Sequence, residues 1–209
     1  MFDNIKEFVP SYELNKNFLF LKSIKTKFPN IKIELMVNEG CLAGCPIKNA
    51  HNIFSANSLR DYTSDFVFSN KFYQTKCTNK ALEDYTTFLC TLNVIFPWDI
   101  QEYGNIGINN FKLIGRNGHH FETGNILTDY YWYLKGVDDY KNIENRPIRH
   151  FIYECFSDIT VKEIKEYLPK IEYFREYGHL CSSRCSVECN YCYHCAEKIK
   201  EKLSGTGKI

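Results

Sequence analysis

Five of the ten cysteines in this 209-residue chain fall in one run, Cys181-x3-Cys185-x3-Cys189-x2-Cys192-x2-Cys195. Neutral thiols at such density add little to packing, whereas four thiolates can hold a four-iron four-sulfur (4Fe-4S) cluster or a structural zinc ion. Thiolate-only sites suit either, and spacing alone does not separate them. Cys181, Cys185, Cys189 and Cys192 are the expected cluster ligands, with Cys195 as a substitute. A second pair, Cys41 and Cys45, closes "IKIELMVNEGCLAGCP", and Gly40 and Gly44 beside it let the backbone approach a metal closely. Cys77, in the polar "QTKCTNK", is the third metal candidate there, whereas Cys90 in "TFLCTLNVIF" and Cys155 in "FIYECF" read as buried small hydrophobes. His51, six residues after Cys45, is a candidate ligand or proton-transfer group.

"GINNFKLIGR" places Lys112 and Arg116 four residues apart, hence on one face of a strand. Together they could clamp an anionic substrate, Arg116 bidentately and Lys112 as a point charge. The competing reading is an ion pair between Lys112 and Glu34 or Glu39.

These residues need elements to position them. Phe18, Leu21, Ile24 and Phe28 recur near a helical period, with Asn15 or Asn17 as cap and Pro29 as stop. Ile31, Ile33, Leu35 and Val37 then alternate as a strand that delivers Cys41 and Cys45 to its carboxyl end. "PWDIQEYGNIG" reads as a short helix with Pro at its start, "INNFKLIG" as a strand and "GNILTDYYWYLKG" as a helix with an apolar face. Thr160 and Glu163 form a capping-box pattern ahead of "TVKEIKEYL". Helices alternating with strands predict an α/β fold with a mainly parallel sheet, whose chemistry sits at the carboxyl ends of the strands.

A formal net charge of +1, from 26 basic and 25 acidic residues, gives no field that would by itself attract nucleic acid or an anionic membrane. Without a basic leader or a long apolar run, the chain reads as soluble and cytoplasmic. In a reducing compartment, closely spaced cysteines point to metal binding or catalysis before disulfides.

Within the cysteine run, "CSVECNYC" resembles the cluster motif of radical S-adenosylmethionine enzymes. In that family a barrel follows the motif, whereas only 17 residues follow Cys192. A broader resemblance covers about Ile33 to Lys135. "IELMVNEGCLAGCP", then "GINNFKLIGR" and an aromatic-rich helix, resemble the collagenase-like peptidase family, peptidase family U-thirty-two, although Ile114 stands where that family usually carries an acidic residue. The resemblance implies a (β/α) TIM-barrel-like fold, here partial and shortened at its N-terminus, since a full barrel typically needs about 250 residues. It also implies a 4Fe-4S cluster and oxygen-independent hydroxylation of RNA or a small aromatic molecule. Cys41, Cys45 and Cys77 match the family's cysteine region, and Lys112 and Arg116 its basic strand.

The expected organisation is a partial barrel over 1–178 with a Cys-rich tail over 179–209 packed on it. An incomplete barrel exposes a sheet edge, so a homo-oligomer or a partner chain is expected. The expected activity is that of an iron–sulfur modification enzyme in which Lys112, Arg116 and His51 serve the substrate. The alternatives are a zinc-binding interaction module and a peptidase.

Overall fold

A computed structural model of the chain describes residues 4–41, 45–58, 79, 83–114, 120–135, 141–148, 151, 159–181 and 189–206. Strand β1 (Glu7–Phe8) leads through a single 3-10 turn (Tyr12–Leu14) into helix α1 (Phe18–Lys27) and strand β2 (Lys32–Met36). Asn17 caps α1, its side chain accepting from Phe20 N at 3.0 Å, so the second of the two candidate caps is the one used. The alternation expected in β2 is present: Ile33, Leu35 and Val37 are buried, and Lys32 is exposed.

Helices α2 (Lys48–Ser58), α3 (Tyr85–Thr91) and α4 (Ile100–Gly104) come next, followed by strand β3 (Asn110–Lys112). The predicted strand over Ile108–Gly115 is thus shortened to three residues. The sheet has the order β1-β2-β3, all parallel, with Glu7 opposite Lys32 and Leu35 opposite Phe111. Beyond β2 the ladder continues as Val37 N donates to Lys112 O and Ile95 N to Val37 O. "PWD" forms a 3-10 turn with Pro97 at its start, running directly into α4 as the sequence predicts.

Helix α5 (His120–Lys135) starts four residues before the "GNILTDYYWYLKG" pattern. Its apolar face is only partly used: Tyr130 is buried and donates to Ile95 O, whereas Leu127, Tyr131 and Leu134 are exposed. Asp129 is buried beside them and pairs with Arg146 at 2.9 Å, just beyond helix α6 (Lys141–Glu144). Helix α7 (Val161–Ile164) opens with the expected Thr160/Glu163 capping box but closes after one turn. Helices α8 (Ile171–Tyr177) and α9 (Tyr191–Ser204) complete the described chain, and α9 packs along α3. The fold is therefore mixed α/β, mostly helical, with a small parallel sheet. No described helix is long and apolar enough to cross a membrane.

One core backbone approach admits only glycine. The 3-10 turn Gly178–Leu180 passes over the residue before the α1 cap, and a Cβ on Gly178 would stand 1.7 Å from Lys16 O. Gly178 has an ordinary helical φ of −62°, so space and not conformation demands glycine there. Backbone cannot swing aside like a side chain, so Gly178→Ala should cost about 3 kcal/mol or more. Urea unfolding of the variant measures this, and an unchanged midpoint would refute the close approach.

Candidate functional site

The site is built around a buried cation. Lys16 lies between the Tyr12–Leu14 turn and α1 and is only 7% exposed. Its ammonium donates to Leu92 O and to Cys90 O, at the carboxyl end of α3, and lies 4.6 Å from the centre of the Phe174 ring. Free carbonyls and the partial negative charge at a helix C-terminus suit a cation there. No carboxylate forms an ion pair with Lys16 among the described residues.

Helix α9 presents thiols to this place. Cys192 and Cys195, one turn apart, are buried, as is Cys90 on α3. Burial pushes the Cys90 thiol well above its ordinary value, and the Cys195 and Cys192 thiols push it further, while Lys16 pulls it down. Cys195 is also raised by burial, with Tyr191, Lys198, Lys170 and Lys16 opposing.

An aromatic wall flanks these sulfurs. Tyr173 on α8 and Tyr191 on α9 stack with centroids 3.8 Å apart. The Tyr173 hydroxyl lies 3.3 Å from Cys189 Sγ, and that hydrogen bond is the first cause of its raised pKa; Cys181 and Cys192 also contribute. Electrostatically, Cys90 thus feels Cys195 and Cys192, and Tyr173 feels Cys189, Cys181 and Cys192. All seven described cysteines are free. Cys185 lies outside the described residues.

The chemistry of this donor set fits a thiolate-bound metal or cluster. Among the described residues, however, no three His, Cys, Asp or Glu side chains meet closely enough to share a single ion.

The loop after β2 forms a different environment. Cys41 N donates to Glu39 Oε1 at 3.3 Å, and burial, followed by the Glu39 carboxylate, pushes the Cys41 thiol up to about 12. Cys45 adds to the rise and Lys48 opposes it. Lys48 in turn lies 3.8 Å from the Tyr12 ring centre. A thiol raised so far is protonated near neutral pH and is a weak nucleophile. His51 sits half-buried in the first turn of α2, its N–H bonded to Ile47 O. Cys77 lies outside the described residues.

Lys112 is not buried in the strand. Its side chain is 52% exposed and pairs with Glu34 at 3.8 Å, the ion-pair alternative drawn from the sequence. Arg116 lies outside the described residues, so the expected two-cation clamp is not visible. Nearby, Asn38 holds the end of β3 through a reciprocal pair of bonds with Ile114 N and O.

Sequence reasoning missed Lys16, Tyr173 and Asp99 as members of this region, whereas Cys90 is the buried core residue it expected. Tyr191 had a signal in the aromatic before Cys192; the others had none, because each joins the site through contacts distant in sequence.

With the geometry in place, one relative can be set beside it. The chain is 28% identical over 191 residues to a protein of Methanocaldococcus jannaschii named an uncharacterized protease, a match covering 88% of this chain and 50% of that protein. The chain therefore spans about half the length of the curated relative it matches. No family model matches the chain, and no solved structure matches it.

Asp99, in the Pro97–Asp99 turn, offers a test of this region's electrostatics. Burial raises its carboxyl from 3.8 to about 7, and Glu172 adds to the rise; Lys16, the Phe96 backbone N–H and Lys170 oppose it. Tyr103 and Tyr130, both enclosed, also face it. The folded value lies above the unfolded one, so the contribution to stability is complete below about pH 4 and is lost as pH rises through about 7. The swing is on the order of 3 kcal/mol, less for the part of the residue that reaches solvent. Asp99→Asn should flatten the urea midpoint against pH across this window and raise it at alkaline pH. A variant profile that still falls like the parent's would exclude Asp99 as the source.

Proposed function

We propose that this chain is an iron–sulfur protein that takes part in oxygen-independent modification of RNA or of a small anionic or aromatic molecule. The observation that carries this reading is the density of the run Cys181, Cys185, Cys189, Cys192 and Cys195, with Tyr173 hydrogen-bonded to Cys189 and stacked on Tyr191. The cluster ligands are drawn from these five. A bound cluster would supply electron transfer or an open iron for substrate. The chain's own contribution is to carry Cys192 and Cys195 on one face of α9, to hydrogen-bond Cys189 through Tyr173, and to keep Cys192 and Cys195 away from water.

Thiolate ligation suits a cluster or zinc alike, so the metal is decided by iron and sulfide analysis. The reaction class rests on the resemblance to peptidase family U-thirty-two. An anionic substrate near the carboxyl ends of β2 and β3 would meet Lys112 after its exchange from Glu34, together with Arg116. His51 would serve proton transfer there.

A peptidase is the second reading, favoured by the name of the archaeal relative. The raised Cys41 thiol speaks against that residue as a nucleophile, leaving Cys45 with His51 as the pair to examine. Peptide hydrolysis that survives removal of iron would establish this reading.

Anaerobic purification with iron and sulfide analysis tests the first. Brown protein is expected, with Cys192→Ala losing most of its iron and Cys41→Ala retaining it. Colourless protein with stoichiometric zinc would replace the cluster with a zinc module, and equal losses in both variants would indicate one shared centre. Self-association is part of the proposal, and light scattering at micromolar concentration should return a dimer or larger species. A clean monomer would count against it.

A further inference from the structure

We infer that one buried water molecule bridges Asn15 Oδ1 and Asn93 Nδ2 at the carboxyl end of β2. Iron–sulfur chemistry plays no part in this site. Two enclosed amides define it: Asn15 is 0% exposed and Asn93 2%. Asn15 donates both protons of its Nδ2, to Met36 O and to Asn93 O. Its Oδ1 has no partner among the described residues, and neither has Asn93 Nδ2. One is an acceptor and the other a donor, so each lacks what the other offers.

Two such atoms left unmet inside a core are costly, and native interiors pair nearly all of them, with protein or with ordered water. The Asn93 carbonyl, 2.9 Å from Asn15 Nδ2, keeps the two residues in contact. Yet no direct bond joins their remaining polar ends. Residues that touch while complementary atoms stay unjoined leave the span that one inserted molecule fills.

Chemistry narrows what that molecule is. It must accept from Asn93 Nδ2 and donate to Asn15 Oδ1, and a bare ion cannot do both. A cation is further disfavoured by the Lys16 ammonium, which follows Asn15 and is bonded to the carbonyl of Leu92, the residue before Asn93. An anion would find one donor and, opposite it, an amide oxygen. Water serves both atoms and is small enough for a place with no exposed side chain. Its second proton has Met36 O and Asn93 O at hand, carbonyls that carry two lone pairs each. The site thus offers the about three polar partners that a buried water ordinarily has. Bound there, the water ties the segment after α3 to Asn15 a second time, beside the direct bond. The same segment carries the Leu92 carbonyl to the Lys16 ammonium, so the solvent molecule helps to set that contact.

Water itself is the probe. In the full chain, water-oxygen relaxation dispersion counts the molecules held inside the protein, and a rotating-frame Overhauser spectrum shows which protons they touch. A cross-peak of bound sign is expected between water and the Asn93 Nδ2 protons. A high-resolution crystal structure should show one water within hydrogen-bonding distance of both amides. Asn93→Leu, similar in size, removes the donor; its dispersion amplitude should fall by one long-lived water while its circular dichroism stays that of the parent.

Density that sets Asn93 Nδ2 on a protein oxygen would overturn the bridge, as would a water on one amide that does not reach the other. An undiminished amplitude in folded Asn93→Leu would overturn it too. The parent chain alone decides the matter if the variant does not fold, and none of these readouts depends on whether iron binds.

Discussion

Two adjacent polar side chains, Asn15 and Lys16, fix the interior of this protein. Asn15 Nδ2 donates to Met36 O at 2.8 Å and to Asn93 O at 2.9 Å, joining the end of β2 to the segment after α3. Tyr103 closes the arrangement by donating to Asn15 O at 2.9 Å, and its ring packs on Phe18 with centroids 4.7 Å apart. Lys16 holds the carbonyls of Cys90 and Leu92 in the same segment. Buried polar groups are costly when unmet, so this network favours one placement of the segment over its neighbours. The placement sets where Cys90 stands and where α9 can dock.

Local signals in the sequence were faithful where the interactions that make them are local. Asn17 capping α1, the Thr160/Glu163 box and the Pro97 start each involve residues within one turn, so their physics is written in adjacent letters. The alternation of Ile33, Leu35 and Val37 likewise reports a face of β2, whatever lies against it. Helix α5 shows the limit of such reasoning: its apolar pattern marks a helix, yet Leu127 and Leu134 face outward because Tyr130 takes the contact with Ile95. Lys112 shows it again. Its place in a three-residue strand, two residues beyond the one opposite Glu34, leaves it at the surface and paired with that carboxylate.

The thiol site was half legible. The run from Cys181 to Cys195 declares itself by density, and the aromatic at Tyr191 is adjacent to it. Cys90 reads as core from its apolar neighbours and is core, but its relation to Cys192 and Cys195 exists only once α3 and α9 are packed, about a hundred residues apart. Gly178 belongs to the same class: nothing in "EYGHL" announces that the Lys16 carbonyl will pass directly above it. The extent of the sheet was also beyond sequence reasoning, since alternation gives a strand but not its neighbours.

The two cysteine groups differ in the dominant charge beside them, Glu39 over Lys48 at Cys41 and Lys16 over Asp84 at Cys90. At Cys41 the neighbouring charge is the Glu39 carboxylate, which opposes ionisation of the thiol and would itself welcome a bare cation. At Cys195 the Lys198, Lys170 and Lys16 ammoniums all favour thiolate, and at Cys90 Lys16 does so against Asp84. An assembly whose own charge is positive is therefore better placed beside Glu39, and one that is negative once its thiolates are counted is better placed beside Lys16. Thiolates alone do not decide between metal centres. The charges beside each group bias which species it would favour, a cation at the loop after β2 and an anion between α3 and α9.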